Sequence, residues 1–325
     1  MSSSKSYCAR CVKINFSTRF CELSRSLIVY LHRMLSILIP TKDYCCRTLV
    51  EELCRQANEC GIDYEIIVGE DGSSPENMAL NAPVAQLPYC RIVVRQPNVG
   101  RSRIRNILAQ EARGKNIMFI DSDAAAEQND ILQLYTQALE EHRVVCGGLY
   151  HSKKPQDGNC SLRHRYELAA DRQRSAKERE KVPYDRFSTF CFAIRRELFL
   201  NIGFDESIRN YGYEDTLFGY ELRRRGVAIK HIDAPLLHIG LESNSVYLSK
   251  VEESLRTLLQ LRDKIEPTTL LRCYARIESM HLTGAVALAW RMLRPVIRLN
   301  LLGRHPSLTL FNIYKIGYYC SISRR

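Results

Sequence analysis

Two carboxylates one residue apart, Asp121 and Asp123, directly follow the apolar run Ile117–Ile120. An apolar run with a charged end predicts a buried strand, and α/β sheets bind ligands beyond the carboxyl ends of their strands. Because side chains at i and i+2 share a direction in an extended chain, both carboxylates can reach one divalent cation. The pattern predicts a site for a metal-bound diphosphate, although a strand also ends in Asp where the chain merely turns.

Strand-like and helical patterns alternate around this motif from residue 35 to residue 150. Short apolar runs at Leu35–Ile39, Tyr64–Gly69 and Cys90–Val94 predict three further strands, with helical periodicity between them. The alternation predicts an α/β fold with a mostly parallel, Rossmann-like central sheet flanked by helices.

The basic excess of the chain lies at its two ends. The net charge is +11 in total, with +5 in residues 1–34 and +7 in residues 282–325, which leaves −1 for residues 35–281. A protein that binds nucleic acid carries a basic face within its folded domain, so this distribution argues against nucleic acid as a partner. The basic tail is typical either of contact with an anionic membrane surface or of a solvated terminus.

A helical pattern from Leu282 to Leu302 lies in this basic tail, and Pro295 interrupts or kinks it. The segment either lies in a membrane interface with its apolar side down or packs on the main domain. Its two predicted faces carry Val286, Trp290, Leu293 and Ile297 on one side, and Arg291, Arg294 and Arg298 on the other.

Several features bear on the location of the protein. No run reaches the roughly 18 apolar residues of a spanning helix, and residues 1–33 lack the cleavage pattern of a signal peptide. We interpret residues 1–33 as a disordered or non-native extension, with Met34 as an alternative start. The 13 cysteines have no paired spacing, which is typical of reduced thiols in a cytosolic protein. These features favour a cytoplasmic protein, either free or peripheral on the inner face of the cytoplasmic membrane.

Residues 151–186 are polar and charged, with few apolar anchors. The position of the segment favours a mobile lid or an acceptor-side loop. Its individual charges, such as Arg174 and Arg179, are typical of a solvated helix face with i,i+4 pairs.

Five stretches of the chain resemble, in order, the motifs of family 2 glycosyltransferases, which have a GT-A fold. The resemblance covers about residues 35–240 and implies an inverting glycosyltransferase. It further implies a GT-A domain with a nucleotide-binding half at residues 34–125 and an acceptor half at residues 126–245, followed by a helical basic extension at residues 246–325. The five stretches are Ser36-Ile-Leu-Ile-Pro-Thr-Lys-Asp43, Glu65-Ile-Ile-Val-Gly-Glu-Asp-Gly-Ser73, Asn98-Val-Gly-Arg-Ser-Arg-Ile-Arg-Asn106, Phe119-Ile-Asp-Ser-Asp123, and Gly203-Phe-Asp-Glu206 leading to Gly212-Tyr-Glu-Asp215.

The resemblance assigns residues that bind a nucleotide-diphosphate sugar. Pro40, Thr41 and Asp71 would line the nucleoside pocket, where the Asp71 carboxylate accepts hydrogen bonds from the base or the ribose. Arg105 would pair with the diphosphate. Asp71 can also belong to a plain turn. The implied acceptor is a glycan or a lipid-linked sugar.

The resemblance also assigns a site for Mn²⁺ or Mg²⁺. Asp123 would bind the cation directly, and Asp121 would contact the ribose or a metal-bound water. His238 follows a predicted strand, where some relatives place a metal-binding histidine, and imidazole suits Mn²⁺ better than Mg²⁺. A lone histidine is otherwise a structural residue.

Glu214 and Asp215 match the acidic pair of the family at the start of a helix. Asp215 is the candidate general base, because a carboxylate near the acceptor hydroxyl takes its proton as the hydroxyl attacks the anomeric carbon. A single displacement of this kind inverts the product. The pair can instead complement a helix N-terminus.

Two departures from the family pattern and two other functions remain open. Glu70 stands where the family usually has Asp, and Thr189-Phe-Cys191 lacks the small residues of many relatives, which leaves the donor sugar open. A nucleotidyltransferase acting on a sugar phosphate would use a similar acidic site and release pyrophosphate, but it gives Asp215 no role. A membrane-associated binding protein with a decayed site fits poorly with two intact acidic pairs.

Overall fold

Ten strands occur in the part of the chain that the computed structural model describes, residues 34–153 and 161–323. The predictions for residues 1–33 lie outside this part. The strands are β1 (Leu35–Thr41), β2 (Tyr64–Asp71), β3 (Cys90–Arg95), β4 (Asn116–Ile120), β5 (Ala124–Ala125), β6 (Val144–Cys146), β7 (Leu149–Tyr150), β8 (Cys191–Arg195), β9 (Lys230–His231) and β10 (Leu236–His238).

Seven of these strands form a central sheet in the order β3-β2-β1-β4-β8-β6-β9. The pairs β1–β2, β1–β4, β2–β3 and β6–β9 are parallel, whereas β8 runs antiparallel to β4 and β6. The strand order reverses between β1 and β4, and such a reversal opens a crevice at the carboxyl ends of the strands. The predicted α/β class with a mostly parallel sheet is confirmed.

Helices cover both faces of the central sheet. Alternate residues of a strand point to opposite faces, so Ile37 and Ile39 pack with α1 and α4 while Leu38 packs with α3, α7 and α8. The helices are α1 (Arg47–Glu59), α2 (Pro75–Asn81), α3 (Arg101–Glu111), α4 (Ile131–Glu141), α5 (Ser161–Asp171), α6 (Ala176–Glu180), α7 (Arg196–Ile202), α8 (Glu214–Arg224), α9 (Asn244–Leu261), α10 (Thr269–Ser279), α11 (Thr283–Leu302) and α12 (Leu308–Ile322).

A second sheet of three strands, in the order β5-β10-β7, lies next to the end of β4. The chain from Val144 to Tyr150 therefore forms two short strands in different sheets. The division falls at Gly147, where an added Cβ would lie 2.3 Å from the Tyr135 hydroxyl oxygen. This close approach leaves room only for glycine.

Helices α9 to α12 form a separate apolar cluster together with α5. Trp290 and Ile297 of α11 are buried in it, but Leu293 is exposed. Arg294 and Arg298 face the domain and lie 3.5 Å and 3.4 Å from Glu252 Oε1. The prediction that these two arginines lie on a polar face opposite the buried side chains of α11 was therefore wrong. Among the helices described, none combines the length and apolar character that crossing a bilayer requires.

Residues 161–171 and 176–180 are helical, and these two helices, α5 and α6, pack on the domain. The prediction that their charges are solvated was wrong for Arg179, whose exposed fraction is 3%. Its guanidinium donates to the carbonyl oxygens of Cys146, Gly147 and Ile232 at 2.7–2.9 Å. A buried charge is tolerated where hydrogen bonds satisfy its donors, and here they join α6 to the ends of β6 and β9.

Candidate active site

A cleft of about 970 Å³ opens at the carboxyl ends of β1, β2 and β4. The switch point of the sheet explains its position. The structure brings every predicted site residue to the wall of this one cleft, including residues far apart in the chain. They are Pro40, Thr41, Asp71, Arg105, Asp121, Asp123, Glu214, Asp215 and His238.

Asp121 and Arg105 form an ion pair at the floor of the cleft. Asp121 Oδ1 lies 2.5 Å from NH2 of Arg105, whose side chain is almost fully buried on α3. Burial raises the pKa of Asp121, and the neighbouring Arg105 guanidinium opposes this without cancelling it. Nε of Arg105 is buried, and none of the residues that the structure describes accepts a hydrogen bond from it. The pair therefore leaves one guanidinium donor unsatisfied.

Asp123 and His238 meet because β10 pairs antiparallel with β5. His238 lies opposite Ala124 in the register, so its Nε2 comes within 2.9 Å of Asp123 Oδ2. Burial raises the pKa of Asp123, but the hydrogen bond with His238 and the positive charge of Arg163 help to outweigh burial and hold the pKa below its ordinary value.

Gly240 packs directly on the Asp123 carboxylate. A Cβ at residue 240 would lie 2.4 Å from Asp123 Oδ2, so a side chain there would displace the carboxylate. The pair of Asp123 and His238 offers an oxygen and a nitrogen ligand for a divalent cation. The described residues hold no cluster of three or more His, Cys, Asp or Glu side chains with metal-binding geometry.

Asp71 holds the loop before α3. Its carboxylate accepts hydrogen bonds from Val99 N at 2.6 Å, Gly100 N at 3.1 Å and Asn98 Nδ2 at 2.9 Å. Gly100 has a φ of +94° at the start of α3, a conformation that glycine adopts readily. Asp71 therefore shapes the cleft wall, and part of its acceptor capacity is already used.

Glu214 and Asp215 occupy the first turn of α8. The preceding residue, Tyr213, has a left-handed backbone with a φ of +69°, a strained state that is common at functional sites. Burial, and then the charge of Glu214, raise the pKa of Asp215 to about 6. Its Oδ1 accepts from Thr216 N at 2.7 Å. The helix N-terminus alone favours the ionised form, but burial dominates.

Arg101 connects the two acidic pairs. Its Nη1 lies 3.7 Å from Glu214 Oε1, and its guanidinium stacks over the Tyr211 ring at 4.6 Å. Burial lowers the pKa of Arg101, but the negative charge of Glu214, with smaller contributions from Asp121 and Asp123, helps to raise it above its ordinary value. A half-exposed arginine among carboxylates can pair with a diphosphate.

The sequence interpretation missed His151 and Arg163. Both line the cleft and both contact His238: Nε2 of His151 lies 3.1 Å from its Nδ1, and NH2 of Arg163 lies 3.3 Å from its Nε2. His151 directly follows β7, so its position after a strand was a signal comparable to that of His238. Arg163 gives no comparable signal in the sequence.

Residues 36–203 match the family model described as glycosyl transferase family 2, which is just over half of the chain. The chain belongs to glycosyl transferase family 2. The matched segment includes Asp71, Asp121 and Asp123 but ends before Glu214, so the acceptor-side residues rest on the cleft geometry alone.

Parts of the chain are similar to a curated synthase and to a curated glycosyltransferase. The chondroitin synthase of Pasteurella multocida is 24% identical over 235 residues, 63% of this chain and 24% of the relative. The uncharacterized glycosyltransferase YfnE of Bacillus subtilis is 23% identical over 249 residues, 60% of this chain and 62% of the relative. The chain therefore spans less than two thirds of either relative.

A solved structure supports the fold of this family 2 member. The mannosyltransferase PcManGT from Pyrobaculum calidifontis, in complex with GDP-Man and Mn²⁺, superimposes with a TM-score of 0.54 at 14% identity, over 95% of this chain and 96% of that chain. The likeness confirms the predicted GT-A type fold.

Proposed function

We propose that this family 2 glycosyltransferase moves a sugar from a nucleotide-diphosphate donor to a hydroxyl group of a glycan or lipid-linked acceptor, with inversion at the anomeric carbon. One observation carries the proposal: Asp123 and Asp215 line the same cleft, with Arg101 within electrostatic range of both acidic pairs. Such a transfer needs positive charge at the leaving diphosphate and a base at the acceptor.

Asp123 and His238 would hold a divalent cation. Their ligand atoms lie 2.9 Å apart, and Gly240 keeps the space beside the carboxylate free of a side chain. The mixed oxygen and nitrogen ligands favour Mn²⁺ over Mg²⁺. When bound, such an ion supplies positive charge that neutralises the departing diphosphate.

Arg101 and Arg105 would assist on the donor side. Arg105 lines the cleft and has a donor, Nε, that no residue in 34–153 or 161–323 accepts from, and Arg101 reaches the cleft from the start of α3. Pro40, Thr41 and Asp71 would surround the nucleoside, where contacts to base or ribose would use the remaining acceptor capacity of Asp71.

Asp215 would act as the general base. Its raised pKa of about 6 keeps it ionised at neutral pH yet makes it a better proton acceptor than an ordinary aspartate. Glu214 contributes by raising that pKa and by fixing Arg101. The attacking hydroxyl would lose its proton to Asp215 as the bond to the anomeric carbon forms.

The deciding experiment is Asp215→Asn, assayed for transfer and separately for donor binding. We expect turnover to fall about 10²- to 10⁴-fold while calorimetry detects unchanged affinity for the nucleotide sugar with Mn²⁺. Asp205→Asn, a partly exposed aspartate, is the control. Unchanged turnover in Asp215→Asn would remove the assignment, and release of pyrophosphate instead of nucleoside diphosphate would favour nucleotidyl transfer.

The enzyme would work at an anionic membrane surface through α11. Residues 282–325 contain seven basic residues and no acidic one. Although Trp290 and Ile297 are buried, α11 exposes an apolar stripe of Leu288, Met292, Val296 and Leu299, with exposed fractions of 59–75%. An apolar stripe in a basic segment fits the interface of anionic lipids. A cytoplasmic location on the inner membrane face would follow.

A further inference from the structure

Four side chains form a continuous hydrogen-bonded chain that leads away from the cleft. Asp123 Oδ2 lies 2.9 Å from His238 Nε2, His238 Nδ1 lies 3.1 Å from His151 Nε2, and His151 Nδ1 lies 3.2 Å from Asp171 Oδ1. Both histidine residues have exposed fractions of 5%. The chain therefore joins the cation-binding carboxylate proposed above to the end of α5.

Each end of this chain carries both a carboxylate and a guanidinium. Arg163 NH2 lies 3.3 Å from His238 Nε2, where Asp123 is the carboxylate. Arg174 NH1 lies 3.2 Å from His151 Nδ1, where Asp171 is the carboxylate. His238 Nε2 and His151 Nδ1 can therefore each either donate a hydrogen bond to the carboxylate or accept one from the arginine.

When both imidazoles are neutral, their N–H protons can be placed along this hydrogen-bonded chain in two ways that give every ring nitrogen a matching donor or acceptor. A neutral imidazole has one N–H and one bare nitrogen. The contact between the two rings holds a single proton, which is bonded either to His238 Nδ1 or to His151 Nε2. In the first arrangement, His238 donates to Asp123 and His151 accepts from Arg174. In the second, His151 donates to Asp171, and His238 donates through Nδ1 to His151. Only the second leaves the Nε2 lone pair of His238 free to bind a cation.

We propose that His151 and Asp171 are positioning residues that hold His238 in the tautomer able to bind the divalent cation. The proposal rests on the cation site of Asp123 and His238. Ligating histidines generally donate their second nitrogen to an oriented acceptor, which sets tautomer and ring angle. Here that acceptor is another histidine, which in turn donates to a carboxylate.

Asp171 is held firmly enough to act in this way. Its Oδ1 accepts from Arg174 NH1 at 2.6 Å, and its Oδ2 accepts from His151 N at 3.1 Å. Arg174 also pairs with Glu167 at 2.5 Å. These contacts fix the carboxylate relative to the His151 ring, so the far end of the chain is rigid.

The test is the affinity for Mn²⁺ alone, measured by calorimetry on the full chain without donor. His151→Phe fills the volume but removes the acceptor for His238 Nδ1, and we expect Mn²⁺ to bind about 10- to 100-fold more weakly. In His151→Gln, the side-chain carbonyl oxygen can take the place of His151 Nε2 as the acceptor for His238 Nδ1. The Mn²⁺ affinity of this variant should therefore stay close to that of the unmodified protein.

A matched control and a double variant separate positioning from general damage. His164 is also buried, on α5, and contacts the Ser152 carbonyl oxygen at 2.6 Å, so His164→Phe should leave Mn²⁺ affinity unchanged. In a His238→Ala background, His151→Phe should have no further effect, because coupled residues are not additive.

The outcomes distinguish this inference from the proposed function. Equal Mn²⁺ affinity in His151→Phe and the unmodified protein, or equal losses in His151→Phe and His164→Phe, would overturn the positioning role while leaving the cation site intact. A Mn²⁺ affinity insensitive to both Asp123→Ala and His238→Ala would overturn the cation site and this inference together.

Discussion

Asp215 illustrates the conflict between folding and catalysis at the scale of one residue. Burial and the neighbouring Glu214 disfavour its charge, yet a general base must be ionised to accept a proton. The helix N-terminus and the hydrogen bond from Thr216 reduce this conflict without removing it. The folded protein therefore holds a carboxylate whose ionised form is less stable than in the unfolded chain.

We expect Asp215→Asn to stabilise the protein at neutral and alkaline pH. The folded pKa of about 6 exceeds the ordinary value of 3.8, so the folded state binds the proton more tightly and stability falls as pH rises between these values. Because the cleft admits solvent, we expect a gain of about 1 to 2 kcal/mol in the free energy of unfolding at pH 8, measured by denaturant titration.

The gain should vanish by about pH 3, where Asp215 is protonated in both the folded and the unfolded state. Asp205→Asn should change the free energy of unfolding in the opposite direction. Hydrogen bonds from Ser207 and the charge of Lys264 lower the pKa of Asp205 despite its partial burial. That substitution should therefore destabilise the protein slightly at pH 8. A loss of stability in Asp215→Asn at pH 8 would contradict the argument.

At the scale of elements, short strands of the small sheet assemble the metal side of the cleft. Pairing of β10 with β5 brings His238 to Asp123, and pairing of β10 with β7 brings His151 near His238. Ile239 N also donates to the Asp123 carbonyl oxygen at 3.0 Å. Strands of two or three residues thus control the position of three site residues.

Gly240→Ala should weaken Mn²⁺ binding at least about 10-fold, measured by calorimetry. The new methyl group would lie 2.4 Å from Asp123 Oδ2, so the carboxylate must move. Gly226→Ala is the control, because Gly226 has a φ of +63° with no atom within 4 Å of an added Cβ. It should lose stability but keep its Mn²⁺ affinity. Equal Mn²⁺ affinity in both variants would contradict this role for Gly240.

The burial and length of the strands explain which features of the fold and the site the sequence could predict. The strands β1, β2 and β4 are buried on both faces and are recognisable as apolar runs, and the acidic residues follow such runs or begin a periodic helix. His151 directly follows β7, but its contact with His238 depends on the pairing of β10 with β7, which the sequence pattern does not show. The buried state of Arg179 depends on carbonyl oxygens at the ends of β6 and β9, which residue type and spacing do not reveal.

At the scale of the whole molecule, charge and apolar surface are concentrated away from the sheet. The central region has a net charge close to zero, whereas residues 282–325 carry +7. Two arginines of α11 are paired with Glu252, so the exposed basic groups of this region include Arg291 and Arg304. An acceptor linked to lipid would be presented to a glycosyltransferase at the membrane surface, which is where this region would hold it.

We expect the protein to sediment with vesicles of phosphatidylcholine and phosphatidylglycerol but not with vesicles of phosphatidylcholine alone, and less strongly as salt rises. The double substitution Met292→Glu and Val296→Glu should abolish this binding, since both side chains are about two-thirds to three-quarters exposed and would place charge in the apolar interface. Leu80→Glu, at an exposed leucine on α2, controls for added negative charge and should retain binding. Binding that survives the double substitution, or that Leu80→Glu removes equally, would mean that α11 is not the contact surface.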